Sequence, residues 1–340
     1  MGRFVAVLFA IVMAVGPATA QAPPSLAPVE PLPPPFDLWI GTLRAEAAAR
    51  GIRPEIIDQA FAGVAPVAQI LERDRSQAEF TLDLEVYLRR RLTRQTVRTA
   101  QQMYSLHRTL LHRIGEQYGV NPRIVVAVWG LESNFGKFSG VRPTIPALTT
   151  LAYDTRRGTM FRNELFSALE ILNRGDIELD RLKGSWAGAL GQPQFMPSSY
   201  LLYAQDFDGD GRRDIWESEP DVFASVANYL KEHGWAAGKA WGREVKLPGK
   251  VRATAEAIPF REAGCRAERA MTDPRPLSAW RRMGVRTIAG APVPSSAVKA
   301  SLVRAGSRSF LLYSNYDSIL EYNCAHTYAL SVALLSDRLR

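Results

Sequence analysis

Asn121-Pro-Arg-Ile-Val-Val-Ala-Val-Trp-Gly-Leu-Glu-Ser-Asn-Phe-Gly136 is the stretch on which the reading of this 340-residue chain turns. Asn is a good N-cap and Pro is favoured at the first helical position, so a helix starts at Asn121-Pro122. Ile124, Val125, Val126, Val128, Trp129 and Leu131 leave that helix almost no polar face. A helix apolar all round lies inside its domain. The one carboxylate it carries, Glu132, falls at its C-terminal end. Apolar neighbours take that carboxyl partly out of water, and the helix C-terminus adds partial negative charge. Both effects raise its pKa above the ~4.3 of a free glutamate and make it a proton donor near neutral pH. The plainer reading is a glutamate exposed at a helix end, and spacing alone leaves both open.

Outward from this helix the pattern stays helical from about Asp37 to Gly234. Leu38, Ile40 and Leu43 open it. Apolar residues at helical spacing, among them Leu82, Val86, Tyr87 and Leu92, predict a helix over Ser76–Gln102. Further helices are expected over Tyr104–Tyr118, with Gly119 as its stop, and over Thr159–Asn173, ending at Gly175. After about Trp235 the character changes. Val245–Ala257 and Val285–Leu312 hold short β-like runs between Pro and Gly punctuation. Thr327–Leu339 returns to helix. The expected fold class is mainly α (α+β).

The N-terminus reads as a secretory signal. Met1-Gly-Arg3, a short apolar run and small residues at Ala18 and Ala20 fit an export signal cleaved near Ala20. The apolar run is shorter than the ~20 residues of a spanning helix, and no later stretch is long enough to span. Residues 21–36 are a Pro-rich linker. The formal charge of +8 favours polyanionic partners, and export disfavours nucleic acid among them. A periplasmic location follows. Two cysteines, Cys265 and Cys324, are either one disulfide or two thiols, and an oxidising compartment favours the bridge. The four histidines show no zinc-like spacing.

Asp206-Phe-Asp208-Gly-Asp210-Gly-Arg212 opens like an EF-hand loop, with carboxylates at positions 1, 3 and 5, Gly at 6 and a backbone carbonyl from Arg212 at 7. Clustered carboxylates repel unless a cation sits among them. An acidic turn is the plain alternative, and a structural calcium is the favoured one. A strict twelve-residue loop closes on Glu217, and a longer one closes on Asp221, which also reads as an N-cap.

Glu132-Ser-Asn-Phe-Gly136 resembles the catalytic motif of the lytic murein transglycosylase B family. So do Ser185-Trp-Ala-Gly-Ala-Leu-Gly191, Gln194-Phe-Met-Pro-Ser-Ser-Tyr200, the Asp206–Gly211 loop, Ser225-Val-Ala-Asn-Tyr-Leu230, Tyr322-Asn323 and Tyr328-Ala-Leu330. The resemblance runs from about residue 37 to 340. It implies a lysozyme-like helical core over 121–235, an additional helical region over 37–120, a small β-rich insertion over 236–320 and a C-terminal helix over 321–340 that returns to the groove. It implies cleavage of the β-1,4 bond between N-acetylmuramic acid and N-acetylglucosamine in peptidoglycan. Glu132 would act as acid and then as base, leaving 1,6-anhydromuramic acid ends and needing no catalytic cofactor. The glycan-contacting positions would be Tyr87, Ser133, Asn134, Ser185, Gln194, Tyr229, Tyr322, Asn323 and Tyr328. The motif holds no second acid, whereas a hydrolase ordinarily uses a carboxylate pair. A muramidase that uses water and a non-catalytic peptidoglycan-binding protein are the alternatives.

Overall fold

The computed structural model describes residues 34–77, 83–154 and 156–339; the signal segment, residues 21–33 of the linker and Leu82 lie outside the described residues. The N-terminal half is helical. It runs α1 (Phe36–Ala49), α2 (Pro54–Phe61), α3 (Ala68–Gln77), α4 (Leu84–Arg91), α5 (Arg94–Leu106), α6 (Arg108–Tyr118) and α7 (Pro122–Ser133). A two-residue strand β1 (Arg142–Pro143) precedes α8 (Thr144–Tyr153) and α9 (Gly158–Arg174). It pairs antiparallel with β2 (Lys183–Gly184). Then follow α10 (Pro197–Tyr203) and α11 (Glu219–Glu232).

The C-terminal part holds β3 (Gly242–Lys246), α12 (Gly249–Glu256), β4 (Arg275–Pro276), α13 (Leu277–Met283), β5 (Arg286–Thr287), β6 (Lys299–Ala305) and β7 (Arg308–Leu312). It closes with α14 (Ser314–Tyr322) and α15 (His326–Ser336). The five strands β3 to β7 form an antiparallel sheet in the order β4-β6-β7-β3-β5. The molecule is mainly α with a small sheet.

The helix read first is where its sequence puts it. The Asn121 side chain accepts from the Arg123 amide at 3.0 Å, and every residue from Ile124 to Leu131 is buried. α5, α11 and α15 pack around α7, and α15 also packs on α4. α15 is the second apolar helix, buried almost without interruption from Tyr328 to Ser336. One large core joins these helices. A second core lies under the sheet, around Val245, Val251, Leu277, Trp280 and Val285. The sheet separates the two by strand alternation: Val303, Phe310 and Leu312 belong to the large core, Leu302 and Leu311 to the small one.

Four sequence expectations are corrected. The single helix over Ser76–Gln102 is three elements, α3, α4 and α5. Asp83 and Thr93 cap the later two, accepting from the Glu85 amide at 2.8 Å and the Thr96 amide at 3.1 Å. Both are favoured N-cap residues, and the apolar spacing ran straight through them. The Tyr104–Tyr118 helix is likewise divided at His107. The β-like run over Val245–Ala257 is a strand only to Lys246 and then becomes α12, and Ser314–Tyr322, placed largely in the β-rich region, is helix.

Candidate active site

Glu132 lies in the last turn of α7, and the chain then makes three successive left-handed residues: Asn134 (φ 51°), Phe135 (φ 58°) and Gly136 (φ 77°). Left-handed backbone is unfavourable for non-glycine residues, so the surroundings must hold the first two in place. Phe135 supplies the anchor. Its ring folds back edge-on against Trp129 at 5.5 Å. It also covers Gly130, where a Cβ would come within 2.5 Å of the ring. At Gly136 a Cβ would meet the Gln192 side chain at 2.7 Å. The small residues of the motif therefore permit a tight reversal that leaves Glu132 at the mouth of the core.

The burial of this carboxyl pushes its pKa up from 4.5 to about 7, against smaller opposing effects of the Tyr328 hydroxyl and the Arg91 charge. The residue as a whole is half-buried. Among the described residues no other carboxyl contributes to this shift. Tyr328 is only 4% exposed, and its hydroxyl makes no well-formed hydrogen bond among the described residues. It lies close to Glu132, Tyr322 and Tyr87, and Tyr322 also feels the Glu132 charge, so Tyr322 and Tyr328 stand beside the acid and Tyr87 stands near Tyr328.

The remaining aromatics form the wall behind them. Tyr322 and Tyr328 stack nearly parallel at 6.4 Å. Tyr229 lies 4.7 Å from Tyr322 and stacks on His233 at 4.1 Å. The Tyr322 hydroxyl donates to the Pro193 carbonyl at 2.7 Å, and the Tyr229 hydroxyl donates to the Glu321 carbonyl at 2.8 Å. These bonds clamp the end of α14 to α11 and to the turn before Phe195. Asn323, just past α14, and Asn134 are exposed.

Several expected contacts have other work. Ser133 is corrected outright: it is fully buried, donating to the Trp129 carbonyl at 3.0 Å and accepting from the Gly136 amide at 3.1 Å. It shapes the turn and cannot face a sugar. The Ser185 hydroxyl accepts from the amides of Ala187 and Ala189 within its own turn. Gln194 is left-handed (φ 54°), and its amide nitrogen donates to the Gly191 carbonyl at 2.7 Å. Among the described residues no group donates to its side-chain oxygen. Tyr229 is 9% exposed, a wall residue.

Two residues escaped the sequence reading. Arg91 stands one helical turn beyond Tyr87 on α4, on the same face, and its guanidinium donates to the Leu131 carbonyl. The i, i+4 spacing was a signal that could have found it. Gln192 fell between two quoted motifs. It accepts from the Trp129 indole at 2.7 Å and donates to the Trp216 carbonyl at 2.8 Å, and its own amide donates to the Ile215 carbonyl at 2.9 Å. It thereby ties α7 to the end of the acidic loop.

In that loop the carboxylate oxygens of Asp206, Asp208 and Asp210 lie within 4.8 Å of one another. Asp206 accepts from the amides of Gly209 and Gly211, which curls the loop around them. Arg212, expected to offer its carbonyl, sets its guanidinium on Asp210 at 3.2 Å. Of the two closing acids, Glu217 is corrected: it points to Arg181 at 3.0 Å. Asp221 is buried and accepts from the amides of Phe207, Asp208 and Asp214. Burial, with the nearby Asp208 charge adding to it, raises its pKa to about 6 despite those bonds. Three carboxylates drawn together in this way, with the buried Asp221 holding the loop's amides behind them, suit a hard cation with oxygen ligands.

Cys265 and Cys324 are bridged, with Cα atoms 6.2 Å apart. No helix among the described residues is long and apolar enough to cross a membrane.

Comparison with known proteins agrees with this geometry. A transglycosylase SLT domain matches residues 35–337. The membrane-bound lytic murein transglycosylase B of Escherichia coli is 39% identical over 153 residues, which is 45% of this chain and only 42% of that protein. Among solved structures, SltB3 of Pseudomonas aeruginosa in complex with NAG-anhNAM-pentapeptide superposes with a TM-score of 0.80 at 41% identity, over 89% of this chain and 78% of that one. The E. coli lytic transglycosylase Slt35 in complex with calcium gives a TM-score of 0.74 at 26% identity, over 88% and 91%.

Proposed function

The chain belongs to the lytic murein transglycosylase B family, and from that premise we propose that it cuts the β-1,4 bond between N-acetylmuramic acid and N-acetylglucosamine in peptidoglycan, leaving 1,6-anhydro ends. The observation that carries the reading is Glu132: one carboxyl, raised to about 7, with no second acid acting on it among the described residues. Protonated, it gives its proton to the glycosidic oxygen as the bond to C1 breaks. As carboxylate, it takes the proton of the muramic C6 hydroxyl while that oxygen bonds to C1. The glutamate ends protonated as it began, and no water is consumed. Tyr328 and Arg91 both favour the charged form that exists between the two steps. An attack by a tethered hydroxyl avoids the ordering of a water and can be worth ~7–11 kcal/mol of barrier.

Tyr87, Asn134, Gln194, Tyr322, Asn323 and Tyr328 are the residues we assign to the glycan. Flat rings suit pyranose faces, and the free Gln194 oxygen suits an acetamido N–H. Asp206, Asp208, Asp210 and Asp221 would hold calcium, whose role is to neutralise the loop that carries Ile215 and so to support Gln192. The N-terminal signal assigns the work to the periplasm.

Digestion of purified sacculi in ¹⁸O-water decides the chemistry. Products with 1,6-anhydromuramic ends and no label at C1 are expected. Reducing muramic ends carrying ¹⁸O would make the protein a muramidase instead.

A further inference from the structure

A cavity of about 840 Å³ opens where the small sheet meets the start of α14. Its walls include Leu277, Pro294 and Val298, with Lys239, Arg243, Arg261 and Lys299 against the single acid Asp317. Arg261 is satisfied: it pairs with Asp317 at 3.1 Å and donates to the Ser301 hydroxyl. The other three cations have no carboxylate partner among the described residues. Arg243 is half-buried, and among the described residues its side chain donates only to the Tyr313 hydroxyl, at 2.5 Å. A guanidinium partly withdrawn from water without a counter-charge is costly, and a bound anion would offset that cost. α14 adds to the field. Its first residue, Ser314, lines the cavity, and its N-cap, Tyr313, offers no side-chain cap.

We propose that this cavity binds a carboxylate-bearing peptide, namely the stem peptide of the glycan; the identity of the polymer rests on the function proposed above. Two features favour a peptide over a compact polyanion. The free cations come from three separate segments, the loop after α11, β3 and β6. The wall between them is largely apolar, which matches single charges spaced along a chain. The distance fits as well. α14 runs from the cavity at Ser314 to Tyr322 beside Glu132, eight residues or about 12 Å at 1.5 Å per residue. A peptide of four or five residues extends over roughly 13–18 Å. An extended stem is therefore as long as the stretch of α14 that separates Tyr322 from the cavity at Ser314. The Cys265–Cys324 bridge and the Arg261–Asp317 pair fix the chain between the two places.

The test is titration calorimetry of the full chain with stem peptides released from sacculi by an amidase. The wild-type protein should bind them. Lys239→Glu with Lys299→Glu, both exposed and so of low risk to folding, should weaken binding by roughly tenfold or more. Peptides with amidated carboxyls should bind the wild type as weakly. Failure of the free peptide to bind, equal binding by the double variant, or equally effective competition by inorganic phosphate would each overturn the assignment. Peptide binding by a protein that does not cut sacculi would uphold the cavity and sink the enzymatic reading instead.

Discussion

At the scale of the residue, Glu132 is the group whose surroundings set its chemistry. Its folded-state pKa of about 7 exceeds its ordinary 4.5, so the folded protein holds the proton more tightly than the unfolded chain. The stability this confers is complete below about pH 4.5 and is lost as pH rises through about 7. Glu132→Gln cannot ionise and escapes that loss. It should therefore melt with the wild type at pH 4 and above it at pH 8, while activity falls by about 10²–10⁴-fold or to background. Melting curves at the two pH values check this. An offset equal at both would mean that the carboxyl is not held protonated by its burial. The neighbouring Ser133 shows the opposite fate of a motif residue: it is conspicuous in sequence, but its hydroxyl is consumed by the turn.

At the scale of the element, the acidic loop is a connection that supports a helix end some way from it in sequence. Asp221 reaches back from the first turn of α11 to three amides of the loop, and Ile215 at the loop's end holds the Gln192 amide. If calcium binds there, millimolar ion should raise the melting temperature, since linkage adds about 2.7 kcal/mol of stability at a hundredfold excess over Kd. Asp208→Ala and Asp221→Asn should abolish the calcium-dependent gain, whereas Glu217→Gln should leave it intact. A melting curve indifferent to calcium and chelator in the wild type would remove the metal from the loop. Retention of the gain in Asp221→Asn would return the closing role to another acid.

At the scale of the whole molecule, one covalent link joins the β-rich part to the chain that returns to the groove. The Cys265–Cys324 bridge spans 59 positions. Closing a loop of that size stabilises the fold by about 4 kcal/mol in the chain-entropy account. Urea denaturation of oxidised and reduced protein should separate by about that amount, with Cys265→Ala/Cys324→Ala following the reduced curve. Coincident curves would mean that the sheet and α14 hold the loop without it.

The sequence alone determined what depends on neighbours along the chain. The cap at Asn121, the apolar helix that follows, the position of Glu132 at its end and the spacing of Asp206, Asp208 and Asp210 are local facts of composition. The structure kept all of them. Where caps competed with apolar spacing, at Asp83 and Thr93, the local reading failed because periodicity does not reveal where a helix is interrupted. Tertiary structure decided everything that needs two distant segments. It brought Arg91 of α4, and Tyr322 and Tyr328 on and after α14, to one glutamate, with Tyr87 of α4 near Tyr328. It buried Ser133, turned Glu217 outward and Asp221 inward, and made Gln192 a strut between α7 and the acidic loop. The physical reason is common to these cases: burial and charge pairing are set by what packs across the core, and that packing is not written in the spacing of any single segment.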